Sequence, residues 1–248
     1  MKQDKRNFCL SIAGHSFFIH SLYTDTYEMS KEYLCEDEFD REINISISDI
    51  EYERSKAEES KKAWSEAYLE TLAAYRKISE VVLDYDTFLM HGSVVAYKDA
   101  AYMFTAASGT GKTTHIRKWL DNLKDAYVVN GDKPLIRINA QGAIACGTPW
   151  CGKEKLGRNC MVPLKAIVLM ERGENNEIEE ITFEMALPFL LRQTYMPKNA
   201  NLVKKTLGLL AQLKGKTRFY KFVFNNMKAD AFCVAYNGVN DNLYLSHF

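Results

Sequence analysis

The chain has 248 residues, 47% of them apolar and 26% charged, with 32 basic and 32 acidic side chains that cancel. That length can bury a sizeable core, as one large domain or as one domain with an appendage. A zero net charge exerts no global pull towards nucleic acid or anionic lipid, and no apolar run is long enough to span a membrane.

Residues 1–7 have no apolar signal region behind them, so the expected location is cytoplasmic. Residues 8–19 read as two short strands turned at Ala13-Gly14, with Cys9, Leu10, Ile12, Phe17, Phe18 and Ile19 as their apolar positions. Residues 22–42 are mixed, acidic and of low periodicity. Ile43, Ile45 and Ile47 alternate with Asn44, Ser46 and Ser48, the period of a half-buried strand. Residues 1–50 are therefore expected to form a small β-rich N-terminal region, and 51–248 the main domain. From about Tyr52 the period becomes helical. Trp64, Tyr68, Leu69, Leu72, Tyr75, Ile78 and Val82 share one face of a helix expected to end near Asp84.

Residues 88–97 are strand-like and break at Lys98-Asp99. The next strand, 101–106, is then an antiparallel neighbour in a hairpin. It delivers the most informative stretch of the chain, Ala106-Ala107-Ser108-Gly109-Thr110-Gly111-Lys112-Thr113-Thr114. Behind it Ile116, Trp119, Leu120 and Leu123 recur at helical spacing. A loop between a strand end and a helix start presents free backbone N–H groups and the positive end of the helix dipole, both favourable to an anion. Gly109 and Gly111 let the backbone curl around phosphates, Lys112 would reach the outer ones, and Thr113 would offer its hydroxyl to Mg²⁺. The full pattern has Gly at its first position, where this chain has Ala106.

Strands dominate the next stretch, at 126–129, 134–138, 143–146 and 166–170. Residues 147–160 form a loop by composition, broken by Gly and Pro and carrying several charges. Thr182 would cap a helix running to about Tyr195, with Pro188 as a kink or delayed start. A second helix at 201–213, a strand at 218–224 and a short helix at 228–236 complete the chain. Six cysteines form no CxxC pair and read as reduced thiols. Lys204, Lys205, Lys214, Lys216 and Arg218 are a basic cluster without a recognised nucleic-acid motif, so nucleic acid is a minor reading.

Three segments together resemble the HPr kinase/phosphorylase and phosphoenolpyruvate carboxykinase superfamily. They are Met90-His91-Gly92-Ser93, the loop from Ser108 to Thr114, and Asn130-Gly131-Asp132. The likeness is good over residues 88–160 and elsewhere holds only by order of elements. It implies an α/β fold of α+β type. A P-loop core of mixed, largely antiparallel sheet would carry flanking helices and a β-rich N-terminal region. It also implies an ATP- and Mg²⁺- or Mn²⁺-dependent kinase of the HPr-kinase-like branch. The γ-phosphate would pass to a hydroxyl, that of serine or threonine on a small protein or peptide, or of a small compound. Ser108, Gly109, Thr110, Gly111, Lys112, Thr113 and Thr114 would hold the nucleotide. Thr113, Asp132 and His91 would serve the metal, and Lys153, Lys155 and Arg158 would face the transferring phosphoryl group. The kinase branch has two adjacent aspartates, and Gly131 stands in place of the first, its presumed general base. Glu154, His91 or no residue in particular could take that role. Two other readings are a nucleotide-binding regulatory module with weak or no transfer activity and a carboxykinase-like enzyme. Self-association is left open.

Overall fold

The computed structural model describes residues 5–36, 38–225 and 231–240. In chain order the elements are β1 (Asn7–Ile12), β2 (His15–His20), α1 (Asp25–Met29), β3 (Leu34–Cys35), β4 (Arg41–Asn44), α2 (Ile47–Glu59) and α3 (Glu66–Val81). Next come β5 (Thr87–Leu89), β6 (Ser93–Tyr97), β7 (Ala100–Thr105), α4 (Lys112–Asn122), β8 (Tyr127–Asn130), β9 (Leu135–Ile138) and β10 (Ala143–Cys146). The last are β11 (Met161–Arg172), β12 (Glu177–Ile181), α5 (Phe183–Gln193), α6 (Ala200–Ala211), β13 (Arg218–Phe224) and α7 (Ala231–Val239). The fold is α/β, with mixed sheets and flanking helices. Among the described residues no helix is long and apolar enough to cross a membrane.

Two sheets carry the chain. The smaller has the order β3-β1-β2-β4. The larger runs β5-β9-β10-β11-β7-β6-β8, with β13 joined to β11 and β12 to β13. Most of its pairings are antiparallel, but β11 runs parallel to both β7 and β13. Alternation along these central strands sorts their side chains onto two faces. Val95, Tyr102, Phe104, Val168 and Phe222 pack with Trp119 of α4 and Phe232 of α7. Val94, Met103, Ile167 and Phe219 pack with Leu190 of α5 and Leu210 of α6. A third cluster joins the small sheet, through Leu10, Phe17 and Ile19, to Ala74 and Ile78 of α3 and to Leu89, Leu135 and Trp150.

Several boundaries differ from those expected of the sequence, each for a local reason. Ile47 does not extend a strand. It opens α2 and is 67% exposed. Ser46 and Asp49 form a reciprocal capping box that starts the helix there, and this overrides the period-two pattern. The single helix expected from Tyr52 to Asp84 is two, α2 and α3, with Ser65 capping the second. Trp64 and Tyr68 are exposed and meet each other edge to face at 5.1 Å. The 88–97 strand is broken into β5 and β6 on either side of His91-Gly92. Strand β12 was not expected from the sequence; it pairs antiparallel with β13. Helix α5 starts at Phe183 under the Thr182 cap and carries Pro188 inside it. The final helix is described over Ala231–Val239, and residues 228–230 of its expected span lie outside the described residues.

Candidate phosphate-binding site

Register brings three separate segments to one end of the large sheet. Strand β6 is antiparallel to β7, with Ser93 opposite Phe104. It is also antiparallel to β8, with Val94 opposite Asn130. The start of β6 therefore lies beside the ends of both β7 and β8. His91 precedes β6, the Gly-rich loop comes after β7, and Asp132 comes after β8. Gly92 allows this close crossing: a Cβ there would stand 3.0 Å from the Phe104 carbonyl oxygen and 2.5 Å from Met103. The Thr105 hydroxyl donates to the His91 carbonyl at 2.7 Å, and the Ser93 hydroxyl to the Gly131 carbonyl at 2.7 Å.

The loop itself turns through Gly109 (φ 78°) and Gly111 (φ 122°), positions that only glycine occupies without strain. Ala106 is fully buried and its methyl group belongs to the core around Phe104 and Trp119, which accounts for an apolar residue at the first position of the pattern. Ala107, Ser108 and Gly109 are exposed. Arg172, at the end of β11, donates to the carbonyls of Gly109 at 2.6 Å and Thr110 at 3.0 Å. His115 of α4 packs its ring against Phe104 and Phe222 of the sheet, with centroids 4.6 and 5.2 Å away, and accepts from the Trp119 indole N–H of its own helix at 3.1 Å. Burial pushes the His115 pKa down to about 3, so its imidazole is neutral.

Lys112 is buried, and its ammonium donates to the Ala106 carbonyl at 3.0 Å. Burial lowers its pKa, and the charge of Asp132 opposes that shift. Burial works against the Asp132 carboxylate too. The hydrogen bond from His91, with the charges of Lys133 and Lys112, outweighs it and holds the pKa below the ordinary value.

His91 and Asp132 are in direct contact, Nε2 to Oδ1, at 3.1 Å. On the other side of the ring, Nδ1 lies 2.9 Å from Oε1 of Gln193. A ring between two oxygen acceptors must carry hydrogens on both nitrogens. A Gln193 amide turned to present its NH₂ group needs only one, on Nε2. Either way Nε2 points an N–H at Asp132. A ligand role for His91 through Nε2 requires that proton to leave.

Asp132 is aimed by Asn130. The fully buried Asn130 accepts from the backbone N–H of Asp132 at 2.9 Å and of Lys133 at 2.7 Å. Its amide donates to the Thr148 carbonyl at 3.0 Å and hydroxyl at 2.9 Å.

The 147–160 loop does not hang free. Its second half lies along β8: Gly131 N–H donates to Leu156 O at 2.9 Å, and Arg158 N–H to Val129 O at 3.1 Å. This clasp occupies the space a side chain at 131 would need. A Cβ on Gly131 would lie 2.7 Å from the Cys151 carbonyl oxygen and 3.1 Å from that of Leu156.

His91, Lys112 and Asp132 are thus brought together. Glu154 and Arg158 are engaged elsewhere: Glu154 pairs with Arg117 of α4 at 2.5 Å, and the Arg158 guanidinium lies 4.6 Å over the Tyr127 ring. Lys153 is exposed on the loop tip.

The donor set suits a hard divalent cation. Asp132 offers a carboxylate oxygen beyond the one facing His91, and Thr113 a half-buried hydroxyl. Among the described residues no three His, Cys, Asp or Glu side chains converge as a closed cage. Mg²⁺ bound largely by phosphate oxygens and water needs none.

No protein-family model matches the sequence. No curated protein matches it either. Among solved structures, the HPr(Ser) kinase/phosphatase from Coxiella burnetii is similar in shape at a TM-score of 0.37 and 8% identity, over 62% of this chain and 94% of that one.

Sequence reasoning missed four contributors. Gln193 and Arg172 lie 102 and 62 residues from the groups they bind, and neither belongs to a local motif. Thr148 reads from sequence only as part of a turn. Lys133 comes directly after Asp132, and its ammonium sits 4.8 Å over the Tyr75 ring. Burial lowers its pKa against the pull of Asp132 and Glu53.

Proposed function

We propose that this chain is an ATP- and Mg²⁺-dependent phosphotransferase of the HPr-kinase-like kind, passing the γ-phosphate to a hydroxyl group on a small protein or peptide. The observation that carries the proposal is the meeting of Lys112 in a glycine-curled strand–helix loop with the His91–Asp132 pair at the same sheet end. On this reading the N–H groups of 109–113 and the Lys112 ammonium hold the phosphates, Lys112 leaving its own carbonyl partners to do so. Asp132 and Thr113 would hold the cation, which would supply charge neutralisation to the phosphates. His91 fixes the Asp132 carboxylate with its N–H. Lys133 adds a second desolvated positive charge beside Asp132.

Gly131 leaves a single carboxylate at the site. Phosphoryl transfer through a loose transition state depends on positioning and charge more than on a strong base, so a second aspartate is not required. Lys153 and Glu154 enter the chemistry only when the loop tip turns inward, and Arg158 only when it leaves Val129 and the Tyr127 ring. A cytoplasmic location and a nucleotide plus a protein or peptide acceptor belong to the same reading.

The test is transfer from γ-labelled ATP with Mg²⁺ to hydroxyl-bearing peptides and small proteins, with Lys112→Ala as the control. Label reaching serine or threonine in wild type only supports the proposal. Absence of any nucleotide binding by calorimetry sinks it. Tight ATP binding without transfer favours the regulatory-module reading, which the clasp over Gly131 supports by excluding a second carboxylate.

A further inference from the structure

Away from the phosphate loop, the edge strand β3 sets two cysteines face to face. Cys9 on β1 is the direct antiparallel partner of Cys35 on β3, and Leu10 of Leu34. Their sulfurs are 2.9 Å apart and are not joined in a disulfide. Direct opposition in an antiparallel pair brings the two side chains together, and these sulfurs already lie within about 1 Å of S–S bonding distance. Cys9 is buried and Cys35 partly exposed, so one thiol is open to a reagent and the other waits behind it. The other four cysteines are not arranged this way. Burial pushes the Cys146 thiol up to about 12 and raises Cys151 and Cys160, which keeps them in the unreactive thiol form.

We infer that Cys9 and Cys35 are a redox pair, forming a reversible cross-strand disulfide with a low-molecular-weight disulfide as oxidant. The Cys35 thiolate attacks one sulfur of the small disulfide, whose S–S bond breaks and releases one thiol. Cys9, losing its proton, then attacks the Cys35 sulfur. The mixed disulfide breaks, the protein disulfide forms and a second small thiol leaves. Two protein thiols are oxidised by two electrons and one small disulfide is reduced to two thiols, which carry the two protons. The bridge closes 9–35 and anchors β3, two residues beyond Glu32, whose carbonyl accepts from the Asn159 side chain of the site loop at 3.3 Å.

The experiment equilibrates the folded full chain with oxidised glutathione, quenches by acid and alkylation, and maps the cross-link by mass spectrometry. The expected result is a loss of two mass units with 9 and 35 joined in one peptide pair. Oxidation should also raise Tm by roughly 5–10 °C for a loop of this length. Cys35→Ser should abolish both changes. Mapping on wild type needs no variant, so a misfolded Cys35→Ser leaves the test intact. Two alkylated or stably glutathionylated cysteines at 9 and 35, a bridge elsewhere, or an unchanged or lowered Tm overturns the inference.

Discussion

Gly131→Ala puts the clasp on trial. A methyl group at 131 would lie 2.7 Å from the Cys151 carbonyl oxygen, where ordinary contact starts at 3.4 Å, so the loop must retreat by the difference, about 0.7 Å. Both nearest obstacles are backbone, so no side-chain rotation relieves them. The same retreat stretches the 2.9 Å bond from Gly131 N–H to Leu156 O beyond a useful hydrogen bond. One backbone pair left poorly satisfied costs about 1–3 kcal/mol. Removing a glycine from the unfolded chain returns about 0.4–1 kcal/mol. The net loss is about 1–2 kcal/mol, or a fall in Tm of roughly 2–8 °C for a chain of this size. Urea denaturation with an unchanged slope reads it directly. Gly208→Ala is the internal control. That glycine sits inside α6 with nothing within 4 Å of an added Cβ, so it should gain up to about 1 kcal/mol. If Gly131→Ala is as benign as Gly208→Ala, the loop does not clasp β8.

Lys112→Ala should lower nucleotide affinity at least about tenfold, the loss of one charge-assisted phosphate contact, with thermal stability kept; unaltered calorimetric affinity would rule out phosphate binding at this loop. Asn130→Ala strands two backbone N–H groups and the Thr148 carbonyl, and should cost about 2–4 kcal/mol in urea, more than a surface substitution. His115 supplies a pH dependence. Its folded pKa of about 3 lies below the unfolded value, so the unfolded state binds the extra proton first. Its effect is absent above pH 6.5, and stability falls by up to about 1.4 kcal/mol per pH unit below that. His115→Gln keeps an acceptor for Trp119 but cannot charge, so it should flatten the slope between pH 6.5 and 5; equal slopes would show that His115 is not buried neutral.

What could be read in advance was local. The curl at Gly109 and Gly111, the β6–β7 hairpin and the cap at Thr182 are contained within a few residues, and short-range sterics decide them. His91 and Asp132 were singled out only through the resemblance carried by their short segments, and the structure sets the two side chains in contact. The capping box at Ser46 was legible too, yet the isoleucine alternation hid it: two short-range signals overlapped and the one making hydrogen bonds prevailed. Gln193 and Arg172 were not legible. Their roles come from the pairing of β11 with β7 and of His91 with the end of α5, relations that no local period encodes.

The loop 147–160 is held from two directions, and this decides which part of it can act. Gly147 and Arg158 pass so close that a Cβ on Gly147 would lie 1.8 Å from the Arg158 carbonyl oxygen, and Gly147 N–H donates to Cys160 O. From the other side, the Trp150 indole donates to the Thr71 carbonyl of α3, and Asn159 reaches the carbonyls of Ser11 and Glu32. Both ends of the loop are therefore fixed, the first by Trp150 against α3 and the second by Arg158 on β8 and Asn159 against the N-terminal region. Between them only residues 152–155 are exposed in a row, and two of these, Gly152 and Lys155, have positive φ. The Arg117–Glu154 pair, exposed and so weakly held, is what ties that tip to α4. A cation delivered to a transferring phosphoryl group from this loop would therefore come from Lys153 or Lys155, by release of that one pair. Arg158 would have to leave both its backbone bond to Val129 and its place over Tyr127.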